Sequence, residues 1–187
     1  MIRVISGSYK GRRLKLVPSP SVRPMQDKVK GALFSILGDR LKGSMCLDGF
    51  AGTGSVGIEA LSRGAYLAIF VEENRKIAQT LRENLELTGF SDRAEIYCLD
   101  VIKALKVIDK GNAKFDIVFI GAPYNDPALK KTLECISLMD IIEKNGIVVA
   151  EHSIRDELAL SYNKLSLLKD SRYGDTVLSF YKAGEGA

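Results

Sequence analysis

Short apolar runs alternate with helix-period patterns along most of this chain. The runs cover residues 45–48, 66–71, 95–99, 115–120 and 147–150, and the helical patterns cover 55–63, 74–87, 101–108 and 127–143. Continuous rather than alternating hydrophobicity in the runs fits strands buried on both faces, as in a parallel sheet with helices on each side. The pattern predicts an α/β domain, Rossmann-like, with a mostly parallel doubly wound sheet. Ahead of it, Ile2, Val4, Leu14 and Leu16 point one way around Gly7-Ser8-Tyr9-Lys10-Gly11, which predicts a small β-hairpin with cations on its tip. Pro18, Pro20 and Pro24 punctuate a connector. Val29, Ala32, Leu33, Ile36, Leu37 and Leu41 then recur at helical spacing, with Asp27 as the expected N-cap and Gly43 beyond the end. At the other terminus, residues 165–168 and 176–181 are strand-like around a polar turn at 169–175, and predict an antiparallel C-terminal strand pair.

With 187 residues, 46% of them hydrophobic, the chain is long enough for one main domain and too short for two ordinary ones. No stretch approaches the roughly 20 apolar residues of a membrane span, and the N-terminus has no apolar signal core. A soluble, cytoplasmic protein without a membrane partner is expected. Cys46, Cys98 and Cys135 are odd in number and widely spaced, so they are read as buried thiols rather than a disulfide framework or zinc site. His152 is the only histidine, which leaves no His-rich metal centre and favours a structural role for that residue; no metal is expected.

Charge changes the picture. Residues 1–42 hold ten Lys or Arg against two acids, a net +8, whereas the rest holds 17 basic and 21 acidic residues, a net −4. Such asymmetry points to a polyanionic partner met from the N-terminal side, because neutralising phosphates releases counterions.

The first run ends in Asp48-Gly49-Phe50-Ala51-Gly52-Thr53-Gly54-Ser55-Val56-Gly57 and leads into a helix. Glycines there permit a tight strand-to-helix turn and a close ligand approach at the carboxyl ends of the strands. The string also satisfies the dinucleotide fingerprint, which keeps a nicotinamide-dependent oxidoreductase in view. Asp48, however, would repel a pyrophosphate and attract the ammonium of a methionine moiety, so the loop favours S-adenosylmethionine. Glu72, ending the second run, is placed to accept hydrogen bonds from ribose hydroxyls; Glu73 reads equally well as surface charge. Asp100, followed by Val101, is placed to meet an adenine amine or to cap a helix.

The fourth run leads into Gly121-Ala122-Pro123-Tyr124. A small residue, then Pro-Tyr at a strand end downstream of a glycine loop, is where nucleic-acid amino-methyltransferases hold the base they modify. The Gly121 and Ala122 carbonyls are candidate acceptors for the amine, Pro123 shapes the turn, and Tyr124 is the stacking platform.

Several segments together resemble the RsmD-type family. They are Arg3-Val4-Ile5-Ser6-Gly7, Lys10-Gly11-Arg12-Arg13-Leu14, Arg23-Pro24, Ala32-Leu33-Phe34-Ser35-Ile36-Leu37, Leu47 through Gly54, Gly57 through Ala65, Val149-Ala150-Glu151-His152 and Arg172-Tyr173-Gly174-Asp175-Thr176. The resemblance runs nearly the full length. It implies a class I methyltransferase fold, S-adenosyl-L-methionine as donor, and the N2 amine of a guanine in 16S ribosomal RNA as acceptor, met in a small ribosomal subunit or its assembly intermediate. Residues 1–42 would form an RNA-contacting extension with Lys10, Arg12, Arg13 and Arg23 as contacts, and residues 43–183 the methyltransferase domain, acting as a monomer. The family's Asp-Pro-Pro-Tyr is Gly121-Ala122-Pro123-Tyr124 here, and its Arg-Pro-Thr is Arg23-Pro24-Met25. Loss of the acid opens a second reading: a non-catalytic RNA-binding or ribosome-assembly protein that kept the fold.

Overall fold

The computed structural model of the chain describes residues 2–17, 25–124 and 126–184. Pro18, Pro20, Pro24 and Arg23 lie outside the described residues. An eight-stranded sheet forms the centre. Its parallel part consists of β3 (Met45–Asp48), β4 (Leu67–Val71), β5 (Ala94–Tyr97), β6 (Phe115–Ile120) and β7 (Ile142–Ser153). Three antiparallel strands complete it: β8 (Ser161–Tyr162), β9 (Leu165–Tyr173) and β10 (Thr176–Ala183). The order across the sheet is β5-β4-β3-β6-β7-β10-β9-β8. Strand order therefore reverses between β3 and β6, which creates the crevice where ligands of open α/β sheets bind.

Both faces of the sheet are buried, which explains the unbroken apolar runs. Cys46, Ala68, Phe70, Ile117, Phe119 and Val149 face one cluster; Leu47, Ile69, Val71, Val118, Ile120 and Val148 face the other. The first cluster is closed by α1 (Asp27–Leu37), α2 (Ser55–Ser62) and α3 (Arg75–Leu87), the second by α4 (Val101–Lys110) and α5 (Ala128–Leu138). Asn74 caps α3 by accepting from the Lys76 and Ile77 amides at 3.0 and 3.3 Å. The N-terminal hairpin is a short ladder of β1 (Ile2–Arg3) with β2 (Arg13–Leu14). Ile2, Val4 and Leu14 join the first cluster, so the hairpin is part of the core and not a tethered appendage.

Several expectations are corrected. Leu16 is 42% exposed, because the ladder has already ended. Gln26, not Asp27, occupies the N-cap of α1; Asp27 is its first helical residue and its carboxylate pairs with Arg3 at 3.0 Å. That helix stops at Gly38, whose φ of +53° ends α1, and Leu41 is carried by a following 3-10 turn. The helical pattern at 127–143 ends at Leu138, since Met139 is extended and Ile142 opens β7. The polar stretch 169–175 is mostly strand: β9 runs to Tyr173 with Leu168, Lys169 and Asp170 exposed in succession, and only Gly174 and Asp175 turn. The two-residue β8 had no signal in the sequence. Of the three thiols only Cys46 is buried, while Cys98 and Cys135 are half-buried. His152 is buried, with Nδ1 2.9 Å from the Ser153 carbonyl and Nε2 2.7 Å from Ser179 Oγ, which is a packing role.

Candidate active site

A cavity of about 520 Å³ opens at the carboxyl ends of β3, β4, β6 and β7, at the reversal of strand order. Its size is that of a small-molecule site. The turn after β3 forms its floor by bonding to two neighbouring strands: the Gly49 amide donates to the Phe119 carbonyl at 2.8 Å and the Ala51 amide to the Val71 carbonyl at 2.9 Å. Asp48, Gly49, Phe50, Ala51, Gly52 and Thr53 all face the cavity, together with Glu72, Asp100 and Val101. Gly54 does not. It is required behind the loop, where φ is +87° and a Cβ would lie 2.3 Å from the Leu81 side chain.

Two carboxylates organise this end. Asp48 is 4% exposed, and its Oδ2 accepts from the Gly57 amide at 3.0 Å, in the first turn of α2. Burial pushes its carboxyl up to about 7, with the Gly57 hydrogen bond pulling down and the charge of Glu72 pushing up. Glu72 lies at the end of β4; one of its oxygens accepts from the Gly52 amide at 3.0 Å and the other from the Asn74 amide at 2.9 Å. It clamps the glycine loop to the start of α3, and burial raises its carboxyl against those two bonds. Both carboxylates retain lone pairs for a bound ligand. Asp100 caps α4 through the Lys103 amide at 3.1 Å while also lining the cavity. Glu73 is exposed at the rim.

Gly121, Ala122, Pro123 and Tyr124 leave β6 along the opposite wall of the same cavity. Ala122 is 4% exposed and packs into the apolar cluster beneath, leaving Gly121 and Pro123 exposed. The Tyr124 hydroxyl lies 2.7 Å from Thr176 Oγ1 at the start of β10. Glu151 of β7, Thr176 and the N-terminal end of α1, through Met25 and Gln26, also line the cavity. None of these was assigned a role from the sequence. Glu151 and Thr176 fall within segments that carry the family resemblance, which was the available signal.

The basic arm is joined to this site through α2. The Ile5 and Ser6 amides donate to the Glu59 carboxylate at 2.6 and 3.0 Å, and the Tyr9 amide donates to Ser62 Oγ at 3.1 Å. Glu59 is wholly buried, with Arg63 Nε at 2.7 Å and Lys30 Nζ at 3.9 Å. Lys30 is itself fully buried and donates to the Arg3 carbonyl and to Ser55 Oγ, each at 2.8 Å; burial lowers its pKa, against the attraction of Glu59. Lys10, Arg12 and Arg13 are exposed along an open groove shared with Ser8, Tyr9, Gly11 and Leu87, separate from the cavity. No helix among the described residues is long and apolar enough to cross a membrane.

The family described as "Conserved hypothetical protein 95" matches residues 2–182. YlbH of Bacillus subtilis is 40% identical over 97% of this chain and 98% of its own length. The Haemophilus influenzae ribosomal RNA small subunit methyltransferase D is 31% identical over 97% of this chain and 93% of its own. Among solved structures, Escherichia coli yhhF superposes with a TM-score of 0.87 at 27% identity, covering 98% of each chain. By this full-length match, the chain belongs to the conserved hypothetical protein 95 family, that of the RsmD-type methyltransferases.

Proposed function

We propose that this protein transfers a methyl group from S-adenosyl-L-methionine to the exocyclic N2 amine of a guanine in small-subunit ribosomal RNA. It is an S-adenosylmethionine-dependent rRNA methyltransferase by family, and its relatives are named as enzymes, which favours catalysis over a non-catalytic RNA-binding role. One observation carries the finer reading: the Gly121 to Tyr124 wall and the Asp48 to Thr53 floor bound a single cavity. Donor and acceptor subsites thus share a space.

The residues present fit the donor. A buried carboxylate with no cation beside it among the described residues suits an ammonium, and Glu72 with spare lone pairs suits a diol. When bound, the sulfonium supplies an already activated methyl group, so strong acid-base power is not required. The chain's task is alignment, a contribution of roughly 7–11 kcal/mol in well-oriented reactions. Tyr124, steadied by Thr176, holds the base plane, while the Gly121 and Ala122 carbonyls accept hydrogens of the amine. Residues 1–42 bring the RNA and lend Met25 and Gln26 to the cavity wall, and residues 43–183 hold the donor and the reacting base.

Incubation with labelled donor and small subunits lacking the modification tests the proposal; the label should appear in one guanine of 16S RNA, and its absence would overturn the assignment. Tyr124→Ala should lower transfer by the worth of one stacked base, about 1–3 kcal/mol, with donor affinity by calorimetry nearly unchanged. A large loss of donor affinity instead would place Tyr124 in the other subsite. Replacing Lys10, Arg12 and Arg13 with Ala should weaken RNA binding and flatten its salt dependence by about one unit of slope per lost phosphate contact. An unchanged slope in a filter-binding titration would mean that the arm meets no phosphate.

A further inference from the structure

Gly121 stands where the family carries aspartate, yet a carboxylate is close at hand. Ile120 and Ala150 are paired in the parallel ladder of β6 and β7, so the next residues, Gly121 and Glu151, emerge side by side at the cavity rim. A Cβ built on Gly121 would lie 3.4 Å from Glu151 Oε2 and 3.9 Å from Glu151 Cβ. The space into which an aspartate side chain would grow therefore already borders a carboxylate, delivered from the neighbouring strand. Glu151 is half-buried and lies on the cavity wall with Tyr124 and Thr176.

We infer that Glu151 is a catalytic residue that takes over the acceptor function absent at Gly121: its carboxylate binds one N–H of the target amine and fixes the lone pair toward the donor. The inference rests on the methyl-transfer reading. As the N2 lone pair forms the new N–C bond and the methyl carbon parts from sulfur, positive charge develops on the nitrogen. A preplaced carboxylate stabilises that charge better than the Gly121 and Ala122 carbonyls alone, and it takes the N–H proton that the nitrogen releases before passing it to water. Atoms and charge balance: the sulfonium becomes a neutral thioether, and one proton leaves.

The test is a reciprocal exchange read by single-turnover transfer, donor calorimetry and thermal unfolding. Glu151→Ala should slow transfer about 10²- to 10³-fold with donor affinity and melting temperature little changed. Gly121→Asp alone should change the rate far less than Glu151→Ala does, because an acceptor is already in place. The double variant Gly121→Asp/Glu151→Ala should recover at least part of the lost rate. Should Glu151→Ala fail to fold, Glu151→Gln of the same shape decides: a clear loss of rate supports the role, and an unaltered rate overturns it. An active wild type with an equally active Glu151→Ala, or a double variant no faster than Glu151→Ala, overturns Glu151 alone. A wild type that transfers nothing overturns the methyl-transfer reading beneath it.

Discussion

Asp48→Asn is expected to make the ligand-free protein more stable at pH 8 by about 4 kcal/mol, while weakening S-adenosylmethionine binding roughly 10- to 100-fold. Burial holds the Asp48 carboxyl near 7, against an ordinary value of 3.8. The folded state therefore prefers the protonated form. The favourable contribution is complete below the ordinary value, declines as pH rises from there, and is gone above about 7, where the buried charge costs its full amount. Asparagine has no charge to bury and keeps an oxygen for the Gly57 amide. Urea unfolding at a series of pH values between 4 and 8 should show the wild type losing stability relative to the variant across that range. Parallel curves would mean that Asp48 is ionised at no cost. The same carboxylate that penalises the empty protein is the feature that rewards a cationic ligand, so the two effects of the substitution share one cause.

Glu59→Ala should destabilise the fold by about 3–5 kcal/mol, the range for breaking a buried ion pair by removal of one partner. The carboxylate accepts from the Ile5 and Ser6 amides and from Arg63, and it is the counter-charge nearest to Lys30 in the core. Its loss leaves two amides without acceptors and a buried ammonium without compensation. The damage should concentrate at the arm: amide exchange at Ile5 and Ser6 should accelerate well beyond that in β6, and RNA affinity should fall although no exposed cation has been removed. Uniform acceleration across the sheet would assign Glu59 to the general core instead. Glu59→Gln, which keeps an acceptor oxygen, should retain more of the arm's protection than alanine does.

The parallel sheet was legible because burial on both faces forces unbroken apolar runs, and β3 and β6 fall at the predicted residues. Ends were less legible wherever two periods merge. Ile141 and Ile142 fit a helical face as well as a strand, and only the extended backbone at Met139 separates α5 from β7. The charged residues of β9 read as a turn because the two-residue β8 covers only Leu165 and Ser166, leaving the rest of the strand at the sheet edge with Leu168, Lys169 and Asp170 all exposed. In the site, the glycine loop, Glu72 and the Pro-Tyr end announced themselves through local spacing. Glu151 and Thr176 did not, since their meaning depends on which strands are neighbours: Glu151 matters because β7 pairs with β6, and Thr176 because β10 places its hydroxyl against Tyr124. A glycine in place of an acid looked like a deficiency along the chain. Across the sheet it borders the carboxylate of a neighbouring strand.

Helix α2 has eight residues and carries two loads, with Asp48 and the donor loop at its first turn and the arm's anchors Glu59 and Ser62 at its far end. The arm is consequently not a portable module. A hairpin transplanted onto this fold would seat only on a helix that presents the same carboxylate and hydroxyl, so it has to be exchanged together with α2 wherever those two residues differ. Moving α2 in turn disturbs the turn at Asp48 that floors the cavity, which ties any redesign of the hairpin to the cavity floor.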